Sequence, residues 1–169
     1  MTISNELHVQ PSWRFILSHP AHFIAFGFGS GLVPRSPGTA GTLVAFPIYW
    51  YLAQHLTFAS YALMLVWAFS IGVMVCGKTG RALGEADFGG IVWDEIVAFL
   101  LVLFFTPPGL LWSLLAFSLF RFFDIVKPPP IRYYDKHWHG GLGVMFDDIL
   151  AAGYTLLCLA LVKSILDMQ

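Results

Sequence analysis

Four stretches of this chain carry no formal charge: Phe15–Pro34, Ser36–Gly77, Ile96–Phe120 and Ile149–Val162. A membrane-spanning helix needs about 20 predominantly apolar residues. The second stretch is long enough for two such helices, with a break near Gln54-His55-Leu56-Thr57. The third belongs to a longer run from Ile91 to Phe123, which Thr106-Pro107-Pro108-Gly109 divides. Proline cannot continue a helix, and Pro-Gly marks a turn. The fourth extends backwards through Val144-Met145-Phe146. Period-two alternation is lacking, so nothing points to a barrel, and no internal repeat is visible. In lipid every backbone polar group must pair within its own segment, which helices achieve. The pattern predicts an all-α fold, a compact membrane bundle of about five to six helices with short loops. Helix A is expected over 41–55, B over 58–77, C over 91–105, D over 109–124 and E over 144–166.

Composition supports that picture. Of 169 residues, 57% are hydrophobic and 11% charged, where a soluble domain carries roughly 25% charge. Disorder, a coiled coil, a basic nucleic-acid-binding domain and a disulfide scaffold are excluded. Nine Lys and Arg against ten Asp and Glu leave no net field to attract a polyanion. Cys76 and Cys158 lie in apolar runs without C-x-x-C spacing and read as small buried hydrophobes. The start does not read as a cleaved leader, because Pro20 interrupts the apolar run. Trp13, Phe15, Ile16 and Leu17, framed by Glu6 and Arg14, suggest an interfacial segment over 1–18. A single helical domain over 19–169 is expected to follow.

The few charges are unevenly placed. In an antiparallel series the A–B and C–D turns hold no Lys or Arg. Arg14, Arg35, Lys78, Arg81, Arg121, Lys127, Arg132 and Lys136 all fall on the other side, which the positive-inside rule assigns to the cytoplasm. Asp94 and Glu95 are expected in the first turn of C, Asp124 at the end of D, and Asp147 and Asp148 in the first turn of E, all on that same side. The helix dipole explains acids at a helix start but not Asp124 at a helix end. Five carboxylates near one plane need cations. Arg121, Lys127 and Arg132 supply some, and a hard divalent ion, Mg²⁺, suits the oxygen ligands. Adjacent acids on a helix diverge by about 100°. One of Asp94 and Glu95, and one of Asp147 and Asp148, is therefore expected at a given ion.

Two loops add phosphate chemistry. Gly27-Phe28-Gly29-Ser30-Gly31 and Pro34-Arg35-Ser36-Pro37-Gly38-Thr39-Ala40-Gly41-Thr42 precede helix A, with Thr39 or Thr42 expected as its N-cap. Glycines admit close backbone approach, and a helix start with free amides binds anions. Arg121, Asp124 and Lys127 share a helix face if D continues to Lys127. Pro128-Pro129-Pro130 then stiffens the loop that carries Arg132. His139 follows in His137-Trp138-His139-Gly140-Gly141 as a candidate acid or phosphate ligand. No Cys-x5-Arg loop, G-x-S-x-G elbow or D-x-D-x-T motif is present. A phosphatase built on these residues would use direct attack by a metal-assisted water.

Four blocks in register carry a resemblance: G-F-G-S-G-L-V-P-R-S-P-G-T-A-G-T from Gly27, I-V-W-D-E from Ile91, R-F-F-D-I-V-K-P-P-P-I-R-Y-Y-D from Arg121, and H-G-G-L-G-V-M-F-D-D-I-L-A from His139. Over roughly residues 19–160 the chain resembles bacterial phosphatidylglycerophosphatase A. The resemblance implies a multi-pass, all-helical protein of the bacterial inner membrane with its active site facing the cytoplasm. It also implies Mg²⁺-dependent hydrolysis of the phospholipid phosphatidylglycerophosphate to phosphatidylglycerol and phosphate. The family's polar blocks fall on Ser30, Thr39, Asp94, Glu95, Arg121, Asp124, Lys127, Arg132, Asp135, His139, Asp147 and Asp148. Asp94, Glu95, Asp124, Lys127, Asp147 and Asp148 are read as catalytic, with Glu95, Asp124, Asp147 and Asp148 as metal ligands. Ser30, Gly38, Thr39, Thr42, Arg121, Arg132 and His139 are read as binding substrate phosphate. Arg35 and Asp87 fall in variable parts of their blocks and stay outside this set. Other readings are a phosphatase of another lipid phosphate, a small membrane cation transporter, or a non-catalytic membrane assembly factor.

Overall fold

Residues 11–168 are described by the computed structural model, and Glu6 of the expected interfacial segment lies outside them. Two short helices, α1 (Trp13–Leu17) and α2 (Pro20–Ala25), and a 3-10 segment over Gly27–Leu32 lead into α3 (Pro37–His55). Then follow α4 (Phe58–Leu83), α5 (Trp93–Phe105), α6 (Leu110–Val126), the short α7 (Ile131–His137) and α8 (Gly141–Asp167). No strand occurs among the described residues, so the all-α class holds.

Every helix expected from an uncharged run is present, but the ends facing the charged side differ. α3 begins at Pro37 rather than 41, with Pro at its first turn, where a missing N–H costs nothing. Ser36 holds the N-cap position, so Thr39 and Thr42 lie inside the helix and neither caps it. α4 continues past Gly77 to Leu83, because Lys78 and Arg81 end an apolar run without ending a helix. It stops where Gly84 takes a left-handed conformation, φ 78°. α8 starts at Gly141, which puts Asp147 and Asp148 in its second turn rather than its first. α6 stops at Val126, and Lys127 turns out of the helix at φ 45°. Arg121, Asp124 and Lys127 therefore do not form one helical face.

α5 is the central element. It packs against α3, α4 and α8, and Ile96 to Leu100 are buried in succession. A helix apolar on all sides fits only such a position. Tyr61 Oη donates to the Leu100 carbonyl at 3.2 Å and Trp93 Nε1 to the Ala68 carbonyl at 3.1 Å, which ties α4 to α5. α8 approaches α4 so closely at Gly141 that a Cβ there would overlap the Val73 carbonyl. Ile16 of α1 is fully buried, while Trp13 and Leu17 remain exposed.

α4 and α8 are long and apolar enough to cross a membrane by length and composition. The most exposed large apolar side chains include Trp50, Phe58, Leu110 and Leu111, near the α3–α4 and α5–α6 turns. At the opposite end, the starts of α3, α5 and α8 meet the end of α6 and the loop after α4. The charged residues gather there.

Candidate active site

A cavity of about 390 Å³ opens at that end, lined by Asp87, Asp94, Glu95, Asp124, Asp147 and Asp148 together with Arg35, Arg121 and Lys127. All five acids expected to meet do meet. Ser36, Gly38 and Thr39 from the start of α3 form another wall.

The acids divide into two groups. Asp94, Glu95 and Asp148 each bring a carboxylate oxygen within 4.8 Å of the others, and so do Asp87, Asp135 and Asp147. The second group already holds a cation. Lys127 Nζ donates to Asp135 Oδ1 at 2.6 Å and to Asp147 Oδ2 at 2.5 Å. Burial disfavours the Lys127 ammonium, but Asp147 and Asp135 outweigh it and hold its pKa above that of free lysine. Desolvation raises the Asp87 pKa, with Lys127 lowering it and Asp135 raising it further. The left-handed turn at Lys127 is what swings the ammonium off the α6 axis towards α7 and α8.

The inner group has a cation partner at Glu95 alone. Arg121 Nη1 lies 2.6 Å from Asp124 Oδ2 and 3.5 Å from Glu95 Oε1. Asp94 Oδ1, Glu95 Oε2 and Asp148 Oδ2 are buried without a hydrogen-bond partner, as is Arg121 Nε. Leaving a buried charged oxygen unpaired is costly. The same three acids bring carboxylate oxygens within 4.8 Å of one another, an arrangement that fits a hard divalent cation.

The expected metal set of Glu95, Asp124, Asp147 and Asp148 is thus divided by the structure. Glu95 and Asp148 join Asp94, while Asp124 serves Arg121 and Asp147 serves Lys127. The 100° divergence separates Asp147 from Asp148 but not Asp94 from Glu95. Glu95, one methylene longer than Asp94, places a carboxylate oxygen within 4.8 Å of it.

Gly38 and Thr39 line the cavity, and Gly38 sits against Glu95 and Arg121. Thr42 lies behind it, fully buried. Its Oγ1 donates to the Gly38 carbonyl at 2.9 Å and accepts from Arg121 Nη1 at 3.4 Å. Ser30 and Arg132 are not brought to the cavity. Ser30 Oγ donates to the Gly27 carbonyl at 2.8 Å and closes the 3-10 turn. Arg132 is exposed on α7, because the proline loop ends in a helix that turns it away. His139 lines a small adjoining cavity of about 50 Å³ with Asp87, Asp135 and Asp147. Asp87, Arg35 and Ser36 are the polar wall residues outside the expected site set. The signal for Asp87 and Arg35 was their place in loops at the charged end of the bundle.

A family model for phosphatidylglycerophosphatase A matches residues 23–163. The chain belongs to that family. It is 43% identical over 139 residues to phosphatidylglycerophosphatase A of Escherichia coli K12, covering 82% of this chain and 80% of the relative. It is 42% identical over 148 residues to phosphatidylglycerophosphatase A of Haemophilus influenzae Rd, covering 87% and 91%. No solved structure matches it. Membership makes the chain a phosphatase, and the phosphatidylglycerophosphatase A fold is here a helical bundle with its acids gathered at one end.

Proposed function

We propose that this phosphatase hydrolyses phosphatidylglycerophosphate to phosphatidylglycerol and phosphate, with Mg²⁺ at the inner acid group and the cavity on the cytoplasmic face of a bacterial inner membrane. One observation carries the reading: three buried, unpartnered carboxylate oxygens share a cavity with two arginines and a lysine. Asp94, Glu95 and Asp148 are the residues that would hold the ion. A divalent cation there offsets carboxylate charge and polarises a phosphoryl oxygen.

The remaining work falls to the chain itself. Glu95 and Asp124 hold the Arg121 guanidinium at the cavity wall. Fixed donors of this kind favour the charge that spreads over the phosphoryl oxygens in the transition state. Lys127 keeps its positive charge beside them. Asp124 acts as the positioning group for Arg121. Apolar helices beside a polar end suit a diacyl lipid whose phosphate lies at headgroup depth. The Lys and Arg asymmetry supports the cytoplasmic orientation. Transport of a cation would ask for polar groups along the centre of the bundle, whereas here the acids sit at helix ends.

The test is phosphate release by purified protein from a panel of lipid phosphates, with Mg²⁺ and with EDTA. Turnover of phosphatidylglycerophosphate that stops with EDTA, and a folded but inactive Asp124→Asn variant, are expected. Full activity of that variant, or turnover undiminished by EDTA, refutes the mechanism. Preference for phosphatidic acid refutes the substrate.

A further inference from the structure

Three cations line the cavity, and two are committed. Arg121 pairs with Glu95 and Asp124, and Lys127 with Asp135 and Asp147. Arg35 alone has neither an ion pair nor a side-chain hydrogen bond among the described residues, although it lines the same cavity. It is exposed, on the turn just before α3, while the inner acids are buried. Its backbone is left-handed, φ 70°. That conformation disfavours a residue with a Cβ, and glycine would adopt it freely. A left-handed arginine at a cavity rim is the kind of backbone outlier found at ligand clamps.

We propose that Arg35 is a specificity-determining residue that binds the second anionic group of the substrate, the phosphodiester linking glycerol to the diacylglycerol. The phosphomonoester occupies the inner cavity and the phosphodiester lies at the rim. A guanidinium presents a planar pair of donors that matches two phosphate oxygens, and its charge persists at any working pH. Phosphatidic acid has only the phosphomonoester and leaves Arg35 unused. The assignment rests on the reading of the chain as a phosphatidylglycerophosphate phosphatase.

The experiment compares wild type with Arg35→Gly, Arg35→Gln and Arg35→Lys in neutral detergent micelles, where the substrate is the only phosphate-bearing lipid. Arg35→Gly suits the backbone, and an unchanged thermal midpoint shows that it folds. The ratio of kcat/KM for phosphatidylglycerophosphate to that for phosphatidic acid is expected to fall at least about tenfold in the Gly and Gln variants, in line with loss of a charged hydrogen-bonded pair. The loss should appear in KM, and Lys should restore part of it. Equal losses on both lipids, or no loss, overturn the assignment. An effect seen only in vesicles of anionic lipid also overturns it, by assigning Arg35 to the membrane surface. Wild type that releases phosphate from neither lipid refutes the functional reading itself, a result separable from failure at Arg35 alone.

Discussion

Gly38→Ala isolates the geometry of the inner site. A Cβ at Gly38 would overlap Glu95 Oε1 and lie 3.0 Å from both Arg121 Nη1 and Nη2. Both partners are largely buried, with side-chain exposures of 13% and 15%. Neither can swing out to water without abandoning the other. The carboxylate and the guanidinium must therefore shift together, and Asp124 is drawn along through its 2.6 Å contact. A misplacement of about 1 Å in a positioned group costs around 100-fold in rate. Stability responds much less. Alanine gains about 1 kcal/mol over glycine inside a helix, and overpacking costs about 1–3 kcal/mol, so the net loss is at most about 2 kcal/mol.

The control is Gly153→Ala in α8, where an added Cβ meets nothing within 4 Å. That variant should gain about 0.5–1 kcal/mol of stability with normal activity. The assay is phosphate release from phosphatidylglycerophosphate in detergent, beside thermal unfolding of the same samples. Gly38→Ala retaining more than a third of wild-type activity would refute the claim that the start of α3 fixes the Glu95–Arg121 pair. So would an equal activity loss in Gly153→Ala.

Two further perturbations separate the acid groups. Asp148→Asn removes one unpartnered buried charge, so the variant should be inactive yet melt no lower than wild type without metal. Mg²⁺ should raise the wild-type melting temperature, corresponding to about 2.7 kcal/mol at a hundredfold excess over Kd, and do little for the variant; an equal shift in both would place the ion elsewhere. Lys127→Met strands Asp147, whose side chain is 7% exposed, and a broken buried pair costs about 3–5 kcal/mol. Lys127 is partly open to solvent, so the lower end is expected in denaturation, and a loss under 1 kcal/mol would show that Lys127 does not hold Asp147.

The bundle was legible because each long uncharged run holds a helix. Their ends were less so. Lys78 and Arg81 look like a stop in hydropathy, yet charge ends an apolar run without ending a helix, and α4 runs on to Leu83. The meeting of the acids was also legible, since alternating helix direction alone brings Asp94, Asp124 and Asp147 to one end. Their division was not. Nothing in the order of residues says that Lys127 adopts a left-handed turn and takes Asp147 out of the inner group. Nor does the spacing of Ser30 or Arg132 reveal that one closes its own turn and the other faces solvent. Asp87 and Arg35 were set aside as lying in variable parts of their blocks, yet both line the cavity; each sits in a loop, where side-chain direction depends on the helices that pin the loop's ends.

Charge balance in the cavity leads to one more consequence. Six carboxyl groups face three cations, so acids ionised to hold a metal would make the walls repel phosphate unless the ion's own charge offsets them. A divalent ion held by Asp94, Glu95 and Asp148 would offset most of that excess and so favour phosphate in the same cavity. The two ligands must then favour each other, by the same factor in each direction. A coupling of about 1–3 kcal/mol, some 5–150-fold in affinity, is typical of linked sites. Thermal shifts provide the measurement without turnover. Inorganic phosphate alone should leave the melting temperature unchanged, Mg²⁺ alone should raise it, and the Mg²⁺ titration midpoint should fall at least fivefold when phosphate is present. Independent, additive shifts would mean that the anion binds away from the inner acids, at a place where the negative walls do not reach.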